Sequence, residues 1–327
     1  MHAPDPSALR IFDAHVHLFD CDANTHAFLE HEDPSFKSIA GDYSALPRRF
    51  LTDDYLSRSA SCRNEGIVWY EFLSADPLQE ARWAQRLADA ASLPHSMVVQ
   101  VDFLDPALEQ RLEAYAALPN VVAVREHLGW DAGNALRRFA KRPDLLTDPA
   151  WKRGLGALQR HGFKCGIEIF APQLPDVTAV TRLYPEIGFT LGVMGWPLDL
   201  SPRGYTQWRH DLTALSRSPN VRIEIAAIEC LFGMDWRRED VAPWVLAAVE
   251  IFGPARCMFG SHMPIAGLSV GFERLFDAYQ EMVTTFSEGE RDDMFRGTAA
   301  AWFKPRSPMV GRVDAGARPG GVGDAST

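Results

Sequence analysis

No apolar run in this 327-residue chain approaches the roughly 20 residues that a membrane-spanning helix needs. The opening MHAPDPSALR has neither the basic start nor the apolar stretch of a secretory leader, so none is expected. Basic clusters are missing as well. The 33 Lys and Arg are outnumbered by 43 Asp and Glu and form no run, and the formal net charge of -10 speaks against nucleic-acid or anionic-membrane partners. The five cysteines, Cys21, Cys62, Cys165, Cys230 and Cys257, are odd in number and scattered, with no CxxC pair and no disulfide framework. A reducing cytoplasm is the expected location. With 46% hydrophobic and 23% charged residues, the chain has ordinary globular composition, enough to bury one large core.

What is present is alternation. Apolar, β-branched runs over 10–17, 66–72, 97–103, 121–127, 164–170, 187–193, 221–226 and 256–262 read as eight strands. Helical patterns such as 76–91, 149–161 and 241–252 lie between them, the first with Asp76 placed to cap and Pro77 at the first helical position. Parallel neighbours need crossovers, so this alternation predicts an α/β fold, a single-domain (β/α)8 barrel over 1–304. A doubly wound open sheet is the alternative, but it would carry a Gly-rich phosphate turn after the first strand, where this chain has HVHLFD. Residues 20–50 form a long connection expected to lie over the strand ends like a lid. Residues 305–327 are rich in Gly, Ala and Pro and are expected to be a flexible tail.

Within the first strand, His15 and His17 are two apart, so both imidazoles share a face and can meet one ligand or metal at the barrel mouth. The order IFDAHVHLFD, VWYEFLSADPLQEARW, VVAVREHL, FAPQLPDVTAVTRLYPEIGFTLGVMGWP, PNVRIEIA, FGPARCMFGSHMPI and TAAAWF spans nearly all of residues 10–304. In these segments the chain resembles the amidohydrolase superfamily, TIM-barrel metal-dependent hydrolases, and in it the branch with sugar-lactone and pyrone-dicarboxylate lactonases. The resemblance implies hydrolysis of a lactone or related small carbonyl compound by attack of water. Three positions depart from the family pattern. Val193, in Leu191-Gly192-Val193-Met194-Gly195, stands where the family has a His; His262, in Gly260-Ser261-His262, where it has an Asp that activates water; and Glu224 where it has a Lys.

Strand parity aims His15, His17, Glu71, Arg125, His127, Glu168, Glu224 and His262 into the mouth. Three carboxylates cannot sit dry together uncompensated, so either a cation lies among them or Arg125 and protonated imidazoles balance them. His15, His17 and Glu168 could form a two-His, one-carboxylate site for zinc or manganese. A metal-free route is equally open, with His262 as general base and Arg125, aided by His15 or His17, polarising the carbonyl. Glu71, His127, Glu224, Trp130 and Trp196 are the expected substrate contacts. Cys21 reads as incidental, His26 and His31 as exposed residues of the lid, and Glu126 as structural and outward-facing. The missing Asp keeps a non-hydrolytic alternative alive, a decarboxylase, C–C lyase, isomerase or cyclase, and beyond it an inactive binding barrel. A small-molecule substrate is expected; the oligomeric state stays open, a homodimer being one option.

Overall fold

The computed structural model describes residues 8–305, so most of the segment read as a tail lies outside the described residues. Among these, eight parallel strands follow one another around the sheet in chain order: β1 (Arg10–Val16), β2 (Arg63–Tyr70), β3 (His95–Gln100), β4 (Val121–His127), β5 (Lys164–Glu168), β6 (Phe189–Leu191), β7 (Val221–Ile225) and β8 (Cys257–Phe259). The ring closes beyond β8, where Met263 bridges Val16 and where His262 N–H and His17 N–H donate to the carbonyls of His15 and Met263, each at 2.8 Å. Helices fill the crossovers. The one expected at 76–91 runs Pro77–Ala90, and Asp76 accepts from the amides of Leu78 and Gln79 as the sequence anticipates. No helix among the described residues is long and apolar enough to cross a membrane.

Two cores result. The larger lies between the strands and the helices, fed by outward residues such as Ile67, Trp69, Cys165, Ile167 and Ile223. The smaller fills the barrel from the inside with Phe12, Ala14, Val68, Tyr70, Val98 and Met258, and Phe303 packs with them. On β1 the change of face is abrupt. Phe12 and Ala14 belong to the inner core, yet Val16 and Leu18 belong to the outer one. The pairing explains it: Asp13 faces Ile67 and Val16 faces Trp69, so three steps on β1 match two on β2. This bulge turns His15 and His17 inward, a re-aiming for which bulges are common next to active sites. The buried Asp13 carboxylate supports it, accepting from His15 N–H at 3.2 Å, Ser261 N–H at 2.7 Å and the Tyr55 hydroxyl at 2.9 Å.

The connection after β1 folds over the mouth. Phe19–Asp20 pairs antiparallel with Arg49–Phe50, and between them runs a short helix, α1 (Pro34–Ala40), capped by Asp33. Arg137 ties this helix to the segment after β4 by donating to Ser38 O at 3.1 Å.

Candidate active site

The carboxyl ends of the strands enclose a cavity of about 350 Å³, with α1 as part of its roof. His15, His17, Glu71, Arg125, His127, Glu168, Trp196 and His262 all line it, although they come from six of the eight strand ends. Two expected substrate contacts sit elsewhere. Trp130 lies off the wall, covered by the Arg138 guanidinium at 5.1 Å. Glu224 is fully buried in the floor and binds His15 and Tyr70 from below.

Three imidazoles form the first half of the site. The ligand atoms of His15, His17 and His262 lie within 4.8 Å of one another. Each ring has its Nδ1 beside an oxygen: His15 beside Glu224 Oε1 at 2.7 Å, His17 beside the Tyr70 carbonyl at 3.1 Å, His262 beside Glu229 Oε1 at 2.6 Å. An Nδ1–H donated to such an acceptor leaves Nε2 with the free lone pair. The Nε2 atoms of His15 and His17 then face each other at 3.0 Å, an approach that two lone pairs tolerate only with a proton or a cation between them. Burial, then the neighbouring imidazoles and Arg125, hold both rings well below the ordinary imidazole range and keep them neutral, the form that binds metal. Imidazoles held through the second nitrogen are the usual setting of a transition-metal ligand. The donor set therefore fits a metal ion.

Glu168, the carboxylate expected to complete that set, is committed to the second half of the site. Arg125 donates from Nε to Glu71 Oε1 at 2.7 Å and from Nη1 to Glu168 Oε2 at 2.8 Å. His127 bridges the same two carboxylates, 2.9 Å from Glu71 and 3.3 Å from Glu168. Two cations meet two anions, so the charge closes without a further ion. Burial opposes charge on every member, but the partners outweigh it: Glu168 is held down at about 2, Glu71 far below the carboxylate range, and His127 is pushed up to about 9.

The floor is Tyr70 and Glu224. The Tyr70 hydroxyl donates to Glu224 Oε2 at 2.6 Å while its ring stacks on His15 with centroids 4.0 Å apart. Burial raises the Glu224 carboxyl to about 7. Gly260 is required at the adjoining strand end, because a Cβ there would lie 2.8 Å from both the backbone nitrogen and the Cβ of His15. Sequence reading passed over Tyr70 and Glu229. Glu229 sits on the short helix Ile228–Phe232 after β7, outside any strand period, and the one signal for it was its place in a strand-end loop.

Positive φ angles on residues other than glycine gather at this rim. Leu73, Val193, Met194, Trp196, Ala227 and His262 have φ between 39° and 59°, and all but Met194 line the cavity. The β-branched Val193 is the most demanding of these. Such strain persists where surrounding packing dictates the backbone, and it concentrates at functional sites. The remaining sequence candidates are peripheral. Glu126 faces the outer core and accepts from Trp151 Nε1 at 2.7 Å, His31 is exposed as expected, His26 is instead buried because its ring packs against the Phe72 carbonyl, and Cys21 is half-buried away from the cavity.

Comparison with known proteins follows the same lines. The uncharacterized protein y4mH of Sinorhizobium fredii (strain NBRC 101917 / NGR234) is 26% identical over 303 residues, 91% of this chain and 99% of that protein. An L-fucono-1,5-lactonase of Burkholderia multivorans (strain ATCC 17616 / 249) is 26% identical over 181 residues, 52% of this chain and 60% of its own length. A solved amidohydrolase of Burkholderia multivorans with bound zinc superimposes with a TM-score of 0.73 at 22% identity, covering 91% of this chain and all of that one. The 5-carboxyvanillate decarboxylase LigW of Sphingomonas paucimobilis shares the fold with a TM-score of 0.58 at 15% identity, covering 91% of this chain and all of that one. The sequence profile described as Amidohydrolase matches residues 12–304, nearly the whole described chain. This chain belongs to the amidohydrolase family.

Proposed function

We propose that this protein is a hydrolase that opens a small cyclic ester, or a related carbonyl compound, by attack of water. The observation that supports this best is the buried pair of His262 and Glu229, 2.6 Å apart, on a ring that also faces the cavity beside His15 and His17. Glu229 accepting the Nδ1 proton fixes the tautomer that leaves Nε2 as a base. His262 then takes a proton from water as the water oxygen bonds to the carbonyl carbon. Glu229 steadies the imidazolium, which returns the proton to the departing ring oxygen when the ester C–O bond breaks. Arg125, with three of its five N–H groups bonded to Glu71 and Glu168, supplies a remaining N–H donor for the carbonyl oxygen. His15 and His17 would hold a divalent ion such as zinc or manganese, which when bound polarises a carbonyl and acidifies water.

The test is a panel of γ- and δ-lactones. His262→Ala should lower kcat by roughly 10²- to 10⁴-fold, the usual contribution of a general base, with the unfolding midpoint retained. Turnover that survives the substitution would remove the reading. A second, non-hydrolytic reading draws on one feature: each carboxylate near the mouth is already engaged, Glu71 and Glu168 with Arg125, Glu224 with Tyr70, Glu229 with His262. Release of CO2 or an isomerised product from a carboxylated substrate, with no lactone turnover, would favour it.

A further inference from the structure

The walls of the cavity constrain the body of the substrate as the imidazoles constrain its reacting end. Away from the titratable groups much of the lining is aromatic. Phe36 on α1 packs on Phe28 with centroids 4.4 Å apart, Phe28 on Phe72 at 5.0 Å, and Phe72 on His17 at 4.6 Å, so an aromatic face leads from the lid to the reacting end. Trp196 and Phe139 also line the cavity and are joined through Phe170, at 5.7 and 6.0 Å. Ser35 and Gln100 also reach the wall, and the charged groups there are bonded to neighbours. The Asp33 carboxylate caps α1 through the amides of Ser35 and Phe36, and Glu71, Arg125, His127 and Glu168 are bonded to one another.

A polyhydroxylated sugar lactone brings several hydroxyls, each of which needs a partner when it leaves water. This wall sets mostly rings and aliphatic side chains against those hydroxyls, with Ser35 and Gln100 as its few neutral polar groups. Each side-chain cation of the Arg125 network is matched by a carboxylate, so a dicarboxylated substrate would find no spare positive charge in that network either. At about 350 Å³ the cavity stands near the lower end of small-molecule sites, which run from roughly 300 to 1,000 Å³. We infer that the substrate is a small ring compound with an apolar or aromatic body and a single reactive carbonyl, held with that body against Phe28, Phe36 and Phe72 and its carbonyl towards His15, His17 and His262.

This inference rests on the hydrolytic reading for its kinetic test but can be separated from it by binding. The probes are dihydrocoumarin, whose lactone is fused to a benzene ring, and glucono-1,5-lactone, with the same ring size and free hydroxyls. The full chain should show kcat/KM at least roughly tenfold higher for dihydrocoumarin. Phe36→Ala should shrink that ratio by fivefold or more, chiefly through KM. Equal or better turnover of the sugar lactone would overturn the inference while leaving hydrolysis intact, as would a Phe36→Ala variant that lowers both rates alike. If neither compound turns over, calorimetric titration decides. Dihydrocoumarin binding without glucono-lactone binding sustains the substrate class with hydrolysis withdrawn, and failure of both to bind overturns the class as well.

Discussion

Glu229 holds Nδ1 of His262 where both side chains are largely buried. In the proposed reaction, a carboxylate there orients the ring and stabilises the positive form that His262 passes through as a general base. Glu229→Gln keeps the shape and removes the charge, and should cost about 10- to 100-fold in kcat, the usual scale for a supporting partner, with little change in the unfolding midpoint. Steady-state kinetics beside thermal unfolding checks this. His127 makes a prediction of the opposite kind, about the folded state. Burial disfavours its charge, yet Glu168 and Glu71 hold the proton on until about pH 9. Its folded pKa is thus above the unfolded value of about 6.5. The stabilisation is complete below pH 6.5 and drains away as pH rises through 9. The unfolding midpoint should fall across that window, and His127→Gln should flatten the slope. An equally steep variant would contradict the assignment.

A strand is a periodic object, and this governs how much of the molecule could be read from sequence. The eight strands and the helix starting at Pro77 follow from periodicity and capping, and the shared face of His15 and His17 follows from their spacing. The bulge on β1 does not. Strict alternation from Phe12 and Ala14 would have turned both imidazoles away from the mouth, and only the extra residue between Asp13 and Val16 returns them. Nor could period alone divide the carboxylates between roles. Glu168 went to Arg125 and His127, Glu224 to the floor, and Glu229 emerged from a loop helix with no period to announce it. The bulge depends on Asp13, whose carboxyl burial raises to about 6 despite the donors around it. Asp13→Ala strands the amides of His15 and Ser261 and should cost about 1–3 kcal/mol for each buried group left unpaired, with loss of activity. Asp13→Asn keeps an acceptor at the same reach and should retain most of the stability. Chemical denaturation of the two variants separates an acceptor role from mere volume.

Closure of the whole barrel assembles the site. Residues 15, 71, 125, 168, 229 and 262 are far apart along the chain, and the circular order of the strands gathers them at one end. An ion held there by His15 and His17 would fix the end of β1 beside the seam where the ring closes by a bridge rather than a full strand pair. Ligand binding stabilises the state that holds the site. Chelator-treated protein should therefore gain several degrees in its unfolding midpoint when zinc is added, roughly 2–4 °C per kcal/mol of binding energy for a domain near this size. A His15→Ala, His17→Ala double variant should not respond. An identical rise in both proteins would place the ion elsewhere.

In the proposed reaction, water is the second reactant that joins the His262–Glu229 pair, the neutral imidazoles and the enclosed cavity into one chemistry. Turnover of a lactone in water enriched in oxygen-18, followed by mass spectrometry of the ring-opened acid, tests it most directly. One heavy oxygen in the new carboxyl group, formed at a rate that His262→Ala reduces at least a hundredfold, is the expected result. A product formed by the wild-type chain without solvent oxygen would contradict water attack.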